Sequence, residues 1–297
     1  MTLSDDQYPS PPGDASPATP SEHQPSMEEI ALPPAPVPAP GTALPEDLRI
    51  PWSWPHLAVF LLYSVGSLVF VQLAFSSYLM STQRLSMKRI EQLLTSNALY
   101  VVGEQIAWFG LLMLFLWVTL GVLRQAPFWR TVGWRTLPPP ASLSSASWRY
   151  FLTGCFLAIF VGLAGTRIRQ PENMPMQELL KDRTGTLLVM SLAVLLAPLV
   201  EETVFRGYLY PLLARKLGVS LGIVMTGLFF GMLHGAQLGW TWGLVGLLML
   251  VGVVLTYVRA RTGTVVASYF VHLGYNSMLA MTAGISTHGF RTFPPGT

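Results

Sequence analysis

The sequence predicts an all-α fold, a polytopic transmembrane helical bundle of about seven helices behind a disordered, proline-rich tail. Three observations predict it. Hydrophobic residues make up 51% of the 297-residue chain and charged residues only 11%, against about a quarter charged in soluble domains; the mean hydropathy is +0.46. Seven apolar segments approach the ~20 residues that a helix needs to cross the hydrocarbon. Acidic residues withdraw from the body of the chain. Eight of the fifteen lie before Ile50, leaving only Glu91, Glu104, Glu172, Glu178, Asp182, Glu201 and Glu202 beyond it.

Residues 1–50 come first. The run ALPPAPVPAPGTALP combines many prolines with little apolar surface, too little to offset the entropy of ordering the chain. A disordered tail is expected; a polyproline II ligand for a partner domain is the sharper reading of the same composition. Residues 51–185 hold the amino-terminal membrane helices. The first span, Leu57 to Phe75, follows PWSWP, whose tryptophans suit a membrane interface. The second runs from Val101 to Leu123, with Glu104 and Gln105 at its start, and the third from Phe151 to Thr166. Residues 186–283 hold a four-helix core. Its spans are Thr186 to about Leu213, Ser220 to about Gly235, Trp240 to Val258, and Thr264 to about Thr282. Residues 284–297 form a carboxy-terminal tail. The connecting stretches STQRLSMKRIEQLL and NMPMQELLKDR read as short amphipathic helices on the membrane surface.

Several classes are excluded. The net charge of +3 is spread over connecting segments, so no nucleic-acid footprint exists. One cysteine, Cys155, forbids an intrachain disulfide framework and a cysteine-rich metal site. No basic stretch followed by an apolar one opens the chain, so no cleavable secretory signal is expected. Short-loop basic residues set orientation. Arg215, Lys216, Arg259 and Arg261 place the ARK and RART turns in the cytoplasm, while Arg84, Lys88 and Arg89 fall on the opposite side.

Against this background LLAPLVEETVFRGYLYPLLARK is informative. A charge at the bilayer centre costs at least ~2.5–3.5 kcal/mol on insertion scales. A wet loop beginning at Glu201 would explain the glutamates, but TVFRGYLYPLL is too apolar for an ordinary loop. If helix continues, Glu202 and Arg206 stand at i and i+4 and pair on one face. Glu201 is then turned away by ~100° and needs another partner. Candidates lie downstream in FFGMLHG, with Phe230 and His234, and in YFVHLGYNS, with His272 and Asn276 one turn apart. At ~1.5 Å per residue, Glu201 lies ~21 Å from Arg215, His234 ~21 Å from Ser220, and Asn276 ~20 Å from Gly263. All fall within the ~30 Å hydrocarbon layer. Gly231, Gly235 and Gly274 would let the helices approach.

A carboxylate beside an imidazole can hold and deprotonate water. A second histidine and an amide can donate to a developing oxyanion in a dry site. Those groups suit hydrolysis of an amide bond. Glu201, His234 and His272 could instead hold a divalent metal such as zinc, leaving a position for water, although no HExxH helix is present. Either one divalent metal or none satisfies the residues.

EETVFR, FGMLH and HLGYN fit EExxxR, FxxxH and HxxxN, in that order on successive membrane segments. The set resembles the CAAX protease and bacteriocin-processing family (CPBP, or Abi) of intramembrane endopeptidases, over about Leu187 to Ala283. The resemblance implies that Glu201 is the water-activating base and that His234 orients the water. It implies that His272 and Asn276 stabilise the oxyanion, with Glu202, Arg206 and Phe230 in support. The family is described both as metalloproteases and as glutamate proteases. The expected substrate is a membrane-associated protein or peptide, reached from the cytoplasmic side of the plasma membrane. Two other readings compete: a non-catalytic scaffold or bacteriocin-immunity protein of the same fold, and a proton-coupled transporter. Intramembrane Glu and His also build proton relays, but the two repeated halves of many transporters are not evident here.

Overall fold

A computed structural model describes residues 45–137, 143–169 and 175–291, and each of the seven apolar segments is helical in it. Helix α1 is Trp54–Gln83, α2 Met87–Ser96, α3 Ala98–Val122, α4 the single turn Phe128–Thr131, and α5 Leu143–Gly165. After α6, the turn Pro175–Glu178, come α7 Arg183–Leu217, α8 Val219–Leu233, α9 Trp242–Thr262 and α10 Val265–Ser286. No strand occurs among the described residues.

Local chemistry sets several ends. The Asn97 side chain accepts from Leu99 N at the start of α3, Asp182 from Gly185 N before α7, and Thr264 from Val266 N before α10. Each satisfies a backbone donor that the first helical turn leaves free. Gly263, at φ +70°, ends α9 in the left-handed conformation that a glycine adopts without strain.

Among the described residues five helices are long and apolar enough to cross a membrane: α1, α3, α5, α7 and α9. Their outer faces carry bare apolar side chains, such as Leu62 at 76% exposure and Phe156 at 68%, which water would penalise and lipid accepts. The protein is an integral membrane protein. Helix α8 has 15 residues and rises only ~22 Å, short of the ~30 Å layer.

Several boundaries differ from the sequence reading. Helix α1 extends beyond Leu57 and Phe75 at both ends, because hydropathy marks the hydrocarbon layer rather than the helix. Helix α8 stops at Leu233 rather than Gly235. Of NMPMQELLKDR, Pro175–Glu178 forms one helical turn and Arg183 already opens α7, while Asn173 and Met174 lie outside the described residues. In STQRLSMKRIEQLL, the first three residues belong to α1 and the amphipathic helix starts at Met87. Trp52, expected at the interface, is buried at 2% exposure and donates from Nε1 to Tyr208 O. Residues 45–50, expected to close the tail, join the bundle: Leu48 and Ile50 are buried, and Asp47 Oδ2 lies 2.9 Å from Arg259 Nη1. The rest of the expected tail lies outside the described residues.

Helices α5 and α10 pack backbone to backbone. A Cβ on Gly154 would collide with the Val271 carbonyl, and one on Gly274 with the Phe151 carbonyl. A second core joins α1, α3 and α7 through Trp52, Phe60, Leu116, Leu120 and Tyr208. Helix α7 therefore stands between two packed groups, and its middle carries the glutamates.

Candidate active site

Helix α7 is not a regular α-helix. Leu192–Leu196 and Glu202–Leu209 are π-helical, and Pro198 and Pro211 follow them. A proline inside a helix lacks the N–H for the i−4 bond, and its ring crowds that carbonyl. The wider i→i+5 turn relieves both problems one turn upstream, and π turns of this kind cluster at functional sites. The two prolines thus widen α7 on either side of Glu201.

Glu202 and Arg206 are both fully buried, with Arg206 Nη1 2.9 Å from Glu202 Oε1. This is the i,i+4 pair expected from the sequence. Arg206 Nη2 also donates to the Gly252 carbonyl of α9 at 3.0 Å, and its guanidinium carbon lies 4.5 Å from the centre of the Phe230 ring. One arginine therefore ties α7, α8 and α9 together. A buried cation needs such partners, since desolvation without them costs several kcal/mol per ion.

His272 enters from α10. Its Nδ1 is 3.0 Å from Glu202 Oε1 and its Nε2 3.7 Å from Glu201 Oε2. Glu202 Oε1, which accepts from Arg206 Nη1, thus also lies against His272 Nδ1. That leaves Nε2 facing Glu201, whose side chain keeps 16% exposure while Glu202 has none. Glu202 is thus enclosed by protein, and Glu201 is the carboxylate that a substrate or water can reach. His272 bridges the two glutamates, an arrangement that spacing alone did not reveal.

The other two residues are held by backbone carbonyls. His234 Nδ1 is 2.7 Å from Phe230 O, and the Phe230 ring meets the His234 and His272 rings at 4.7 and 5.8 Å between centres. His234 caps the C-terminus of α8 instead of lying within a longer helix. Asn276 Nδ2 donates at 2.7 Å to Ala193 O, inside the first π-helical segment. Of the glycines expected to bring helices together, Gly231 abuts Met249 and Gly274 abuts Phe151, whereas Gly235 packs on the Trp240 ring within its own turn.

The metal reading needs Glu201, His234 and His272 to converge. Among the described residues no three histidine, cysteine, aspartate or glutamate side chains form a group that could hold a metal ion. His272 instead has its Nδ1 on Glu202. This donor set does not fit a three-ligand centre as arranged.

Residues 183–278 match the family model described as type II CAAX prenyl endopeptidase, Rce1-like. The match spans α7 to most of α10 and contains all three motifs, so this segment is similar to the CAAX endopeptidases. No curated protein and no solved structure matches the chain.

Proposed function

We propose that the protein is an intramembrane endopeptidase that hydrolyses a peptide bond of a membrane-associated protein or peptide, with Glu201 activating the attacking water. The observation that carries this reading is the buried relay Arg206–Glu202–His272–Glu201. A fixed cation neutralises the inner carboxylate, that carboxylate orients an imidazole, and the imidazole faces the one carboxylate left accessible.

The chemistry follows from which atoms remain uncommitted. Glu201 takes a proton from water as the oxygen attacks the scissile carbonyl carbon, and the same carboxyl returns the proton to the leaving amine. His234 keeps Nε2 to orient the water, because Nδ1 is held at the Phe230 carbonyl. Asn276 spends one amide hydrogen on Ala193 O and offers the other to the oxyanion. His272 serves the oxyanion only when protonated on both nitrogens, since its Nδ1–H belongs to Glu202. Donors fixed in advance in a dry site stabilise developing charge without reorganisation. The cytoplasmic side of the plasma membrane is the proposed route of access.

The test is comparative proteomics of membranes from cells carrying the wild type or Glu201→Gln. Precursors that keep a terminal or internal segment should accumulate only with the variant. Identical peptide profiles from equally expressed proteins would favour a scaffold of the same fold.

A further inference from the structure

Away from the glutamates, five arginines line one open cavity of about 730 Å³: Arg49, Arg124, Arg130, Arg135 and Arg215. They come from separate parts of the chain. Arg49 precedes α1, Arg124 follows α3, Arg130 lies in α4, Arg135 follows that turn, and Arg215 sits in the last turn of α7. One carboxylate joins them: Glu46, 3.3 Å from Arg135 and 3.7 Å from Arg130. Among the described residues of the lining, five arginines face one carboxylate.

Arg215 Nη1 donates to Ile50 O at 3.0 Å, and Arg135 donates to the Glu46 carbonyl and pairs with its carboxylate. Arg124 and Arg130 are exposed. Arg124 pairs with no carboxylate among the described residues, and Arg130 shares Glu46 at long range. Converging like charges repel unless an anion sits among them.

We propose that this cavity binds a phosphate-bearing group, supplied in the membrane by the headgroup of an anionic phospholipid. Guanidinium forks match phosphate oxygens in a bidentate manner that few other anions reproduce. The volume lies in the ~300–1,000 Å³ range of small-ligand sites. Depth identifies the source. Arg124 lies two residues beyond the end of α3, Arg215 two residues before the end of α7, and Arg49 five residues before α1. That is the level at which headgroups meet the ends of membrane-crossing helices. Arg215 lies ~21 Å along α7 from Glu201, so the site is separate from the glutamate relay. A bound headgroup would join the segment before α1 to α4 and the end of α7.

The test uses the full-length protein in phosphatidylcholine nanodiscs, titrated with phosphatidylglycerol in one arm and inorganic phosphate in the other. Bound lipid is read by native mass spectrometry, and stability by thermal unfolding. Wild type should retain phosphatidylglycerol and unfold at a higher temperature as it is added. Arg124→Gln/Arg130→Gln should bind at least tenfold more weakly, yet unfold as the wild type does in pure phosphatidylcholine. Arg84→Gln/Arg89→Gln removes the same charge from the opposite face and should bind lipid as the wild type does. Stabilisation by inorganic phosphate, lost in the first variant and absent with lipid, would uphold the anion site and assign it a soluble source. Equal lipid retention by wild type and Arg124→Gln/Arg130→Gln, or equal losses in the two double variants, would overturn the proposal.

Discussion

Replacing Arg206 with methionine keeps much of its length and removes its charge. Three consequences follow from the geometry. Glu202, with no exposure, loses the cation 2.9 Å away; the Gly252 carbonyl loses a donor at 3.0 Å; and Phe230 loses the guanidinium over its ring. Breaking a buried pair by removing one partner costs ~3–5 kcal/mol, most of it the stranded charge. At about 2–4 °C per kcal/mol for a chain of this size, the melting temperature should fall by roughly 6–20 °C. Glu202→Gln combined with Arg206→Met removes the stranded charge and should recover most of the loss, because buried ion pairs are often no better than apolar replacements. Differential scanning fluorimetry in one detergent, on Arg206→Met, Glu202→Gln, the double variant and the wild type, gives the cycle. An Arg206→Met protein that melts with the wild type would refute the argument, as would a double variant whose loss equals the sum of the single ones.

Other outcomes follow from single contacts. Gly274→Ala drives a methyl into the Phe151 carbonyl; overpacking of this kind costs ~1–3 kcal/mol, and the loss should appear as a lower melting temperature. Asp47→Ala leaves the buried Arg259 without its carboxylate, which should cost ~3 kcal/mol and loosen residues 45–50 in hydrogen exchange. Asn276→Ala removes a bond worth a net ~0.5–1.5 kcal/mol, but turnover should fall by ~10²–10³, the usual effect of losing an oxyanion donor. Dialysis against a chelator should leave turnover unchanged. Stoichiometric zinc whose removal abolishes activity and whose return restores it would restore the three-ligand reading.

The seven helices were legible because lipid imposes one rule on every span: a long apolar run whose backbone bonds close on themselves. The Glu202–Arg206 pair was legible because its partners lie one turn apart. Three features were not. Arg259 reads as a loop charge in RART, yet it is fully buried because Asp47, 212 residues earlier, reaches it; no local pattern encodes such a meeting. The bridging position of His272 depends on how α10 is rotated against α7. That rotation is set by the glycine contacts of α5 and α10, not by the HxxxN spacing. The π-helical segments left a trace in Pro198 and Pro211, which mark where an α-helix of this length must yield.

Whether Glu201 is the base is decided by the turnover of purified Glu201→Gln in lipid. A membrane-anchored peptide cleaved by the wild type serves as substrate, with melting temperature measured on the same samples. Glutamine keeps the shape beside His272 but cannot take a proton from water. If Glu201 is the base, the rate should be lower by ~10²–10⁴ in a variant that melts with the wild type. Cleavage at the wild-type rate by that stable variant would contradict it.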